Sequence, residues 1–201
     1  MTLESRMPQG EAVTETFVFS PNRAAARTEA TSLREAELVE RFRTGDQEAF
    51  AELYRHFAPM VHGIVLARVP RDEVHDIVQD VFLAAYRSLH SLRDSRVFGP
   101  WLVKIARNRA AEFYRSSRPT EELPEHIPGR QRRDGEAAEV LRAIRSLSDS
   151  YRETLILRLV EGMTAKEISQ RTGLKPESVR VNLHRGMEML RERLGIAEVR
   201  R

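Results

Sequence analysis

The chain has no cysteine, which excludes disulfides, thiolate catalysis and cysteine-ligated zinc, and fits a reducing compartment. Lysine is scarce as well: of 33 basic residues only Lys104, Lys166 and Lys175 are lysines, so arginine carries nearly all the positive charge. No run of about 18 apolar residues occurs, so the sequence offers no membrane-spanning helix. The N-terminal FVF at 17–19 is too short for the apolar stretch of a secretion signal, and the protein is expected to stay in the cytoplasm. Aromatic residues are few, at 6%, and mean hydropathy is -0.48, which points to modest cores built from aliphatic side chains. Strand-like alternation of Val, Ile and Thr is nearly missing. Ala, Leu, Glu and Arg dominate instead, and the expected fold class is all-α.

The 201 residues suffice for one large or two small domains. The formal net charge of +3 says little about partners, whereas the arginine bias is more suggestive. A planar guanidinium makes paired hydrogen bonds to phosphate. A GC-rich genome produces the same bias, so composition alone leaves the partner open.

Residues 1–35 mix Thr, Ser, Glu, Ala and Arg without helical period and are expected to form a flexible extension. From 36 to 118 the pattern is helical. AELVERFRTG places Leu38, Val39 and Phe42 on one face and stops at Gly45. Asp46 then suits an N-cap for a long helix in which Phe50, Leu53, Tyr54, Phe57, Val61, Ile64 and Val65 recur at three- and four-residue steps. Pro70 ends that helix. DEVHDIVQDVFLAAYRSL and PWLVKIARNRAAEFYRSSR supply two more, separated by the loop SLRDSRVFG.

Residues 119–138 are rich in Pro, Gly and alternating charge and cannot bury a core, so they are expected to be a flexible linker. The second helical domain is expected over 139–195, with a tail at 196–201. EVLRAIRSL comes first, and Ser148 is positioned to cap the next helix. Thr164 and Glu167 have the spacing of a capping box, Gly173 falls where a left-handed helix end is needed, and Pro176 suits a first turn.

The most informative stretch is TAKEISQRTGLKPESVRVNLHRGMEML, a short helix, a tight Gly-containing turn and a longer helix. Ala165, Ile168, Leu174, Val179 and Leu183 fall where the two helices pack, as in a helix-turn-helix. The outer face of the second helix then offers Ser178, Arg180, Val181, His184 and Arg185. Such a helix fits the major groove, where its N-terminal half reaches base edges and arginines reach phosphate or guanine. A helical hairpin with a solvated face is the plain alternative.

RSLSDSYRETLILRLVEGMTAKEISQ closely resembles the fourth-region signature of sigma factors. DQEAFAELYRHF, DIVQDVFLAAYRSL and FGPWLVKIARNRAAEFYR resemble, in the right order, the second-region blocks of extracytoplasmic-function sigma factors. The resemblance covers about residues 37 to 195. It implies two small helical domains, region 2 and region 4, and a non-enzymatic subunit that gives RNA polymerase its promoter specificity. Core polymerase (clamp and flap regions) and promoter DNA are the implied partners, with an anti-sigma factor as a further one; no cofactor or metal is implied.

Carried over by position, the resemblance implies three surfaces. Asp76, Gln79 and Asp80 would face basic groups on the polymerase clamp, with Phe82, Leu83 and Tyr86 as apolar contacts. Arg93, Ser95, Arg96, Lys104, Arg107, Asn108 and Arg115 would hold the melted minus-ten element. Here the residues speak for themselves too: between Arg96 and Arg118 there are six basic residues against the single acid Glu112, interleaved with Trp101, Phe113 and Tyr114. Phosphate neutralisation beside apolar shelter is what single-stranded DNA needs. Trp101 also suits a core anchor. The third surface, Ser178 to Arg185, would read the minus-thirty-five element. Lys175 and Asn182 depart from the common pattern, where a serine and an arginine are usual, which puts the exact element in doubt. The linker would thread toward the active-site cleft.

Two rival classes remain open to the sequence. One is a self-sufficient helix-turn-helix regulator with a helical sensor domain. The other is a helical metal-dependent hydrolase, for which the six scattered histidines provide no HExxH or HD pair.

Overall fold

The computed structural model describes residues 33–116 and 136–196, all helical apart from short connections. Most of the extension (1–32), the stretch 117–135 that includes most of the linker, and the end of the tail (197–201) lie outside the described residues. Helix α1 spans 33–43, α2 Gln47–Leu66, α3 Val74–Ser88 and α4 Phe98–Ser116. After the linker come α5 Glu136–Arg145, α6 Asp149–Leu159, α7 Ala165–Thr172 and α8 Pro176–Arg193. Among the described residues no helix is long and apolar enough to cross a membrane.

Local chemistry explains most of the boundaries. The Asp46 carboxylate accepts from the Glu48 and Ala49 amides at 3.1 and 3.3 Å, two donors that a helix start leaves without a partner, and Arg41 clamps the same carboxylate. That guanidinium, with the amide bonds, holds the half-buried Asp46 carboxyl below the usual carboxylate range. Thr164 and Glu167 close the expected capping box, Gly173 ends α7 with φ +74°, and Pro176 opens α8. The left-handed turn at Gly173 lets the chain reverse between α7 and α8 without a Cβ penalty.

Three expectations need correction. Ser148 sits at the start of α6 with extended backbone, but its side chain makes no capping bond. Helix α5 begins at Glu136, inside the stretch expected to be linker, because Glu136 and Glu139 suit the positive end of a helix dipole. Likewise α1 includes 33–35, which the sequence assigns to the extension.

Glu167 accepts both the Thr164 amide at 2.8 Å and its hydroxyl at 2.7 Å, and the amide bond is the main reason its carboxyl is held low. Its stabilising effect is therefore full above the ordinary glutamate pKa of about 4.3 and lost as pH falls through the lower folded value. Thr164→Ala is expected to cost about 1 kcal/mol at neutral pH, read as a shift in urea midpoint. An unchanged midpoint would mean that the α7 start is held by packing alone.

Helix α2 is the spine of the N-terminal lobe, burying Leu53, Phe57, Met60, Val61, Ile64 and Val65 against α3 and α4. Helix α6 plays the same part for the C-terminal lobe. Its five consecutive residues Glu153, Thr154, Leu155, Ile156 and Leu157 are all buried, so it is covered on every side. Helices α5, α7 and α8 cover part of α6, and α2 of the other lobe covers the rest. The two lobes accordingly share one continuous apolar core, running from Leu38 to Leu190.

Candidate DNA-binding and polymerase-docking surfaces

Helices α7 and α8 form the helix-turn-helix. Ile168 and Val179 are fully buried between them, with Ala165, Leu174 and Leu183 packed at the edge. Burying these residues turns the opposite face of α8 outward, and Ser178, Arg180, Val181, His184 and Arg185 are all exposed. His184 lies 3.4 Å from Glu188, while Arg180 and Arg185 pair with no acid among the described residues. Their guanidinium forks are free for phosphate or base edges.

In α3, Val74, Ile77, Val78, Val81, Phe82 and Ala85 face the core. The opposite face carries Asp76, Gln79, Asp80, Leu83 and Tyr86, all exposed, as an acidic stripe that turns apolar toward its C-terminal end. The Tyr86 ring stands edge-on to Phe42 and Phe50 at 5.0 Å from each, so its orientation is fixed by the core beneath. Phe82 differs from the other residues expected to dock in being only 4% exposed, its ring tilted against that of Tyr54 at 4.4 Å. It supports the surface from inside.

The basic face of α4 presents Lys104, Asn108 and Arg115, spaced four and seven residues apart and exposed together. In the preceding loop Arg93 is exposed, Ser95 half-buried, and Arg96 is drawn onto Asp94 at 3.0 Å. Asp94 also accepts the Arg96 amide at 3.0 Å, which fixes the short turn that leads into α4. Trp101 is half-buried beside Phe98, as a core anchor would be. Arg107 stands apart. It turns toward the other lobe and makes two hydrogen bonds to Glu153 of α6, at 2.6 and 3.2 Å.

That last pair belongs to a polar seam that sequence reasoning missed. Glu153 also meets Arg68 at 2.6 Å. Arg145 donates to the carbonyls of Leu66 and Val69 at 2.9 and 2.8 Å, and Arg152 to that of Ala67 at 3.3 Å. Arg171 donates to the His56 carbonyl at 3.1 Å. Burial pushes the Arg145 guanidinium below its ordinary value, yet it stays a cation. A cleft of about 800 Å³ opens beside the seam, lined by Tyr54, His62, Val78, Leu141, Val160 and Glu161 among others.

His62 Nδ1 and Glu161 Oε1 meet at 2.6 Å across the lobes. The hydrogen bond to Glu161 raises the His62 pKa, opposed by burial and by Arg71 nearby; Arg55 and His75 line the same cleft. A raised histidine pKa stabilises fully below the unfolded value near 6.5 and is lost as pH rises through the folded one. Thermal stability is therefore expected to decline modestly from about pH 6 to pH 8, and His62→Gln to flatten that slope. An identical slope in the variant would remove this pair from the account.

Known proteins place these surfaces in context. Residues 53–120 match the family described as Sigma-70 region 2, and residues 137–190 that described as Sigma-70, region 4. The chain is 35% identical over 176 residues to the RNA polymerase sigma factor CarQ of Myxococcus xanthus, covering 80% of this chain and 98% of that one. It is 30% identical over 177 residues to the ECF RNA polymerase sigma-E factor of Escherichia coli K12, covering 79% and 93%. Among solved structures, CnrH in complex with the cytosolic domain of CnrY is similar, with a TM-score of 0.58 and 26% identity over 82% of this chain and 99% of that one. A region 2 helical unit followed by a region 4 helix-turn-helix defines a transcription initiation factor of the sigma-70 type. The chain belongs to the extracytoplasmic-function sigma factors, and it directs RNA polymerase to promoters.

Proposed function

We propose that the three exposed faces divide this task among themselves. The outer face of α8, with Ser178, Arg180, Val181, His184 and Arg185, reads the minus-thirty-five duplex in the major groove. The basic face of α4 and the loop before it, with Arg93, Ser95, Arg96, Lys104, Arg107, Asn108 and Arg115, hold the melted minus-ten strand. The stripe of α3, with Asp76, Gln79, Asp80, Leu83 and Tyr86 over the buried Phe82, docks on the clamp of core polymerase, while the C-terminal lobe meets the flap. Residues 119–138 pass toward the active-site cleft.

Strand opening in this reading is driven by binding energy. The chain acts as a non-enzymatic subunit in the cytoplasm, needing no cofactor. Each DNA-binding face is weak alone, and docking on the enzyme raises their effective concentration on one promoter. CnrH was solved with the cytosolic domain of CnrY, and we extend to this chain a protein inhibitor of the anti-sigma kind.

The observation that carries this reading is the exposed pair Arg180 and Arg185, without an acidic partner among the described residues, on a helix whose inner face is fixed by Val179 packing on Ile168 of α7. The test is a gel shift on promoter duplex with and without core polymerase. A supershifted complex is expected only with both proteins. Tight binding to a palindromic duplex by the chain alone would favour the self-sufficient regulator. Within the complex, Arg180→Ala is expected to weaken binding by about 1–3 kcal/mol on matched sites.

A further inference from the structure

The cleft of about 800 Å³ is enclosed by α2, α3, α5 and the end of α6, and its volume falls within the ~300–1,000 Å³ of sites that bury most of a ligand. Its wall is mainly apolar: Tyr54, Ala58 and Pro59 of α2, Val78 of α3, Leu141 of α5 and Val160 after α6. Tyr54 and Val160 are 39% and 49% exposed, so apolar surface there meets water. The rim is basic. Arg55, Arg71 and His75 line it, and neither arginine pairs with an acid among the described residues. Glu161, the one carboxylate in the lining, is held by His62. Such a cleft suits an apolar segment that carries acids.

The chain contains one. The stretch EAVTETFVF at 11–19 has two acids, Glu11 and Glu15, no base, and the apolar run Phe17, Val18 and Phe19. Six of the eight phenylalanines, Phe42, Phe50, Phe57, Phe82, Phe98 and Phe113, lie on described helices and pack in or against the core. Phe17 and Phe19 are the other two, and each brings ~150–250 Å² of surface to bury.

Where the chain enters the fold decides whether this stretch reaches the cleft. Arg34 meets Glu52 at 3.7 Å and Glu35 meets His56 at 2.7 Å, so α1 begins alongside the first half of α2. Glu52, Arg55 and Pro59 follow at three and four residues on one face of α2, which puts that start at the rim of the cleft. The 14 residues from Phe19 to Leu33 span up to ~50 Å, more than the ~30 Å length of α2. A tether of this kind holds its end at an effective concentration on the order of 1 mM. A stretch that binds at about 100 µM as a free peptide would then fill its own cleft about ten to one.

We infer that residues 11–19 seat in the cleft between α2, α3 and α5, with Phe17 and Phe19 against its apolar wall and Glu11 and Glu15 toward Arg55 and Arg71. The extension is a ligand carried in cis, and any other apolar peptide has to displace it. The inference stands apart from the assignment of the DNA-binding and polymerase-docking faces.

Because the chain has no cysteine, a single nitroxide can be attached at Ser20→Cys in the full chain. In methyl NMR the signals of Val78, Leu141 and Val160 are expected to lose most of their intensity, and that of Val179, between α7 and α8, to keep it. Phe17→Ser with Phe19→Ser should restore all three. A fluorescein-labelled peptide of residues 9–22 should bind this double variant about tenfold tighter than the wild type, whose cleft is already filled. Adding Arg55→Glu and Arg71→Glu to the double variant should weaken the peptide at least about threefold, and a peptide with Glu11→Arg and Glu15→Arg should regain most of that loss. Both arginines are exposed, so the fold tolerates the reversals.

Cleft methyls that stay sharp, or broadening spread evenly over both lobes, overturn the inference. Equal peptide affinity for wild type and double variant does so too, and leaves the cleft to a separate partner. Broadening that arises between molecules, in a mixture of spin-labelled and methyl-labelled chains, would assign the cleft to a second copy and overturn it as well.

Discussion

Reversing two charges on α3, Asp76→Arg with Asp80→Arg, is expected to lower affinity for core polymerase at least about a hundredfold. The two carboxylates lie four residues apart on an exposed face, and neither pairs with a base among the described residues. Nothing in the fold needs them, so the double variant should melt within a few degrees of the wild type. At an interface, close charge pairs couple by about 1.5–7 kcal/mol, and like charges brought together cost several more. A loss of about 3 kcal/mol already exceeds a hundredfold. Gel filtration of the chain with core enzyme measures it. Unimpaired co-elution would mean that the acidic stripe is a solvated helix face and that docking lies elsewhere.

Phe57→Ala should be the most damaging single substitution to stability, at about 3–5 kcal/mol. Phe57 is fully buried, stands edge-on to Phe98 at 5.0 Å, and has the Arg171 guanidinium 5.9 Å over its ring. Its removal opens a cavity beneath Gly99, at the point where α7 of the other lobe rests on α4. Domains of this size have about 5–15 kcal/mol in all, so the variant is expected to be marginal at 37 °C. The loss should also loosen the C-terminal lobe, because the Arg171 contact crosses between lobes. Chemical denaturation followed by both circular dichroism and the fluorescence of Trp101 checks this. A loss under 1 kcal/mol would show that the core around Phe57 refills.

Local signals in the sequence were sufficient where the deciding contacts are local. Asp46, the Thr164–Glu167 box, Gly173 and Pro176 act within one helical turn, and each does in the structure what its type and position imply. Heptad-like spacing was enough to separate Phe57 from Tyr54 only approximately: one is buried, the other 39% exposed. Phe82 looked like a docking residue because α3 is apolar on more than one side; its burial follows from how α3 packs on α2, where Tyr54, 28 residues earlier, meets its ring.

The seam was illegible for a different reason. Arg107 and Glu153 are 46 residues apart, and an arginine beside Asn108 on a basic helix has the same appearance whether it awaits phosphate or a carboxylate. One clue was present. The run TLIL in α6 is too continuously apolar for a helix with one wet face, and a helix buried all round needs neighbours on two sides. A four-helix C-terminal lobe cannot supply them, and the N-terminal lobe does.

The most direct measurement is run-off transcription of fragmented genomic DNA by purified core polymerase with and without the chain, with each transcript start mapped. Discrete new starts that share one pair of upstream sequence elements at constant spacing are expected, and they should be lost on Arg180→Ala with Arg185→Ala. Starts indistinguishable from those of core enzyme alone would contradict it.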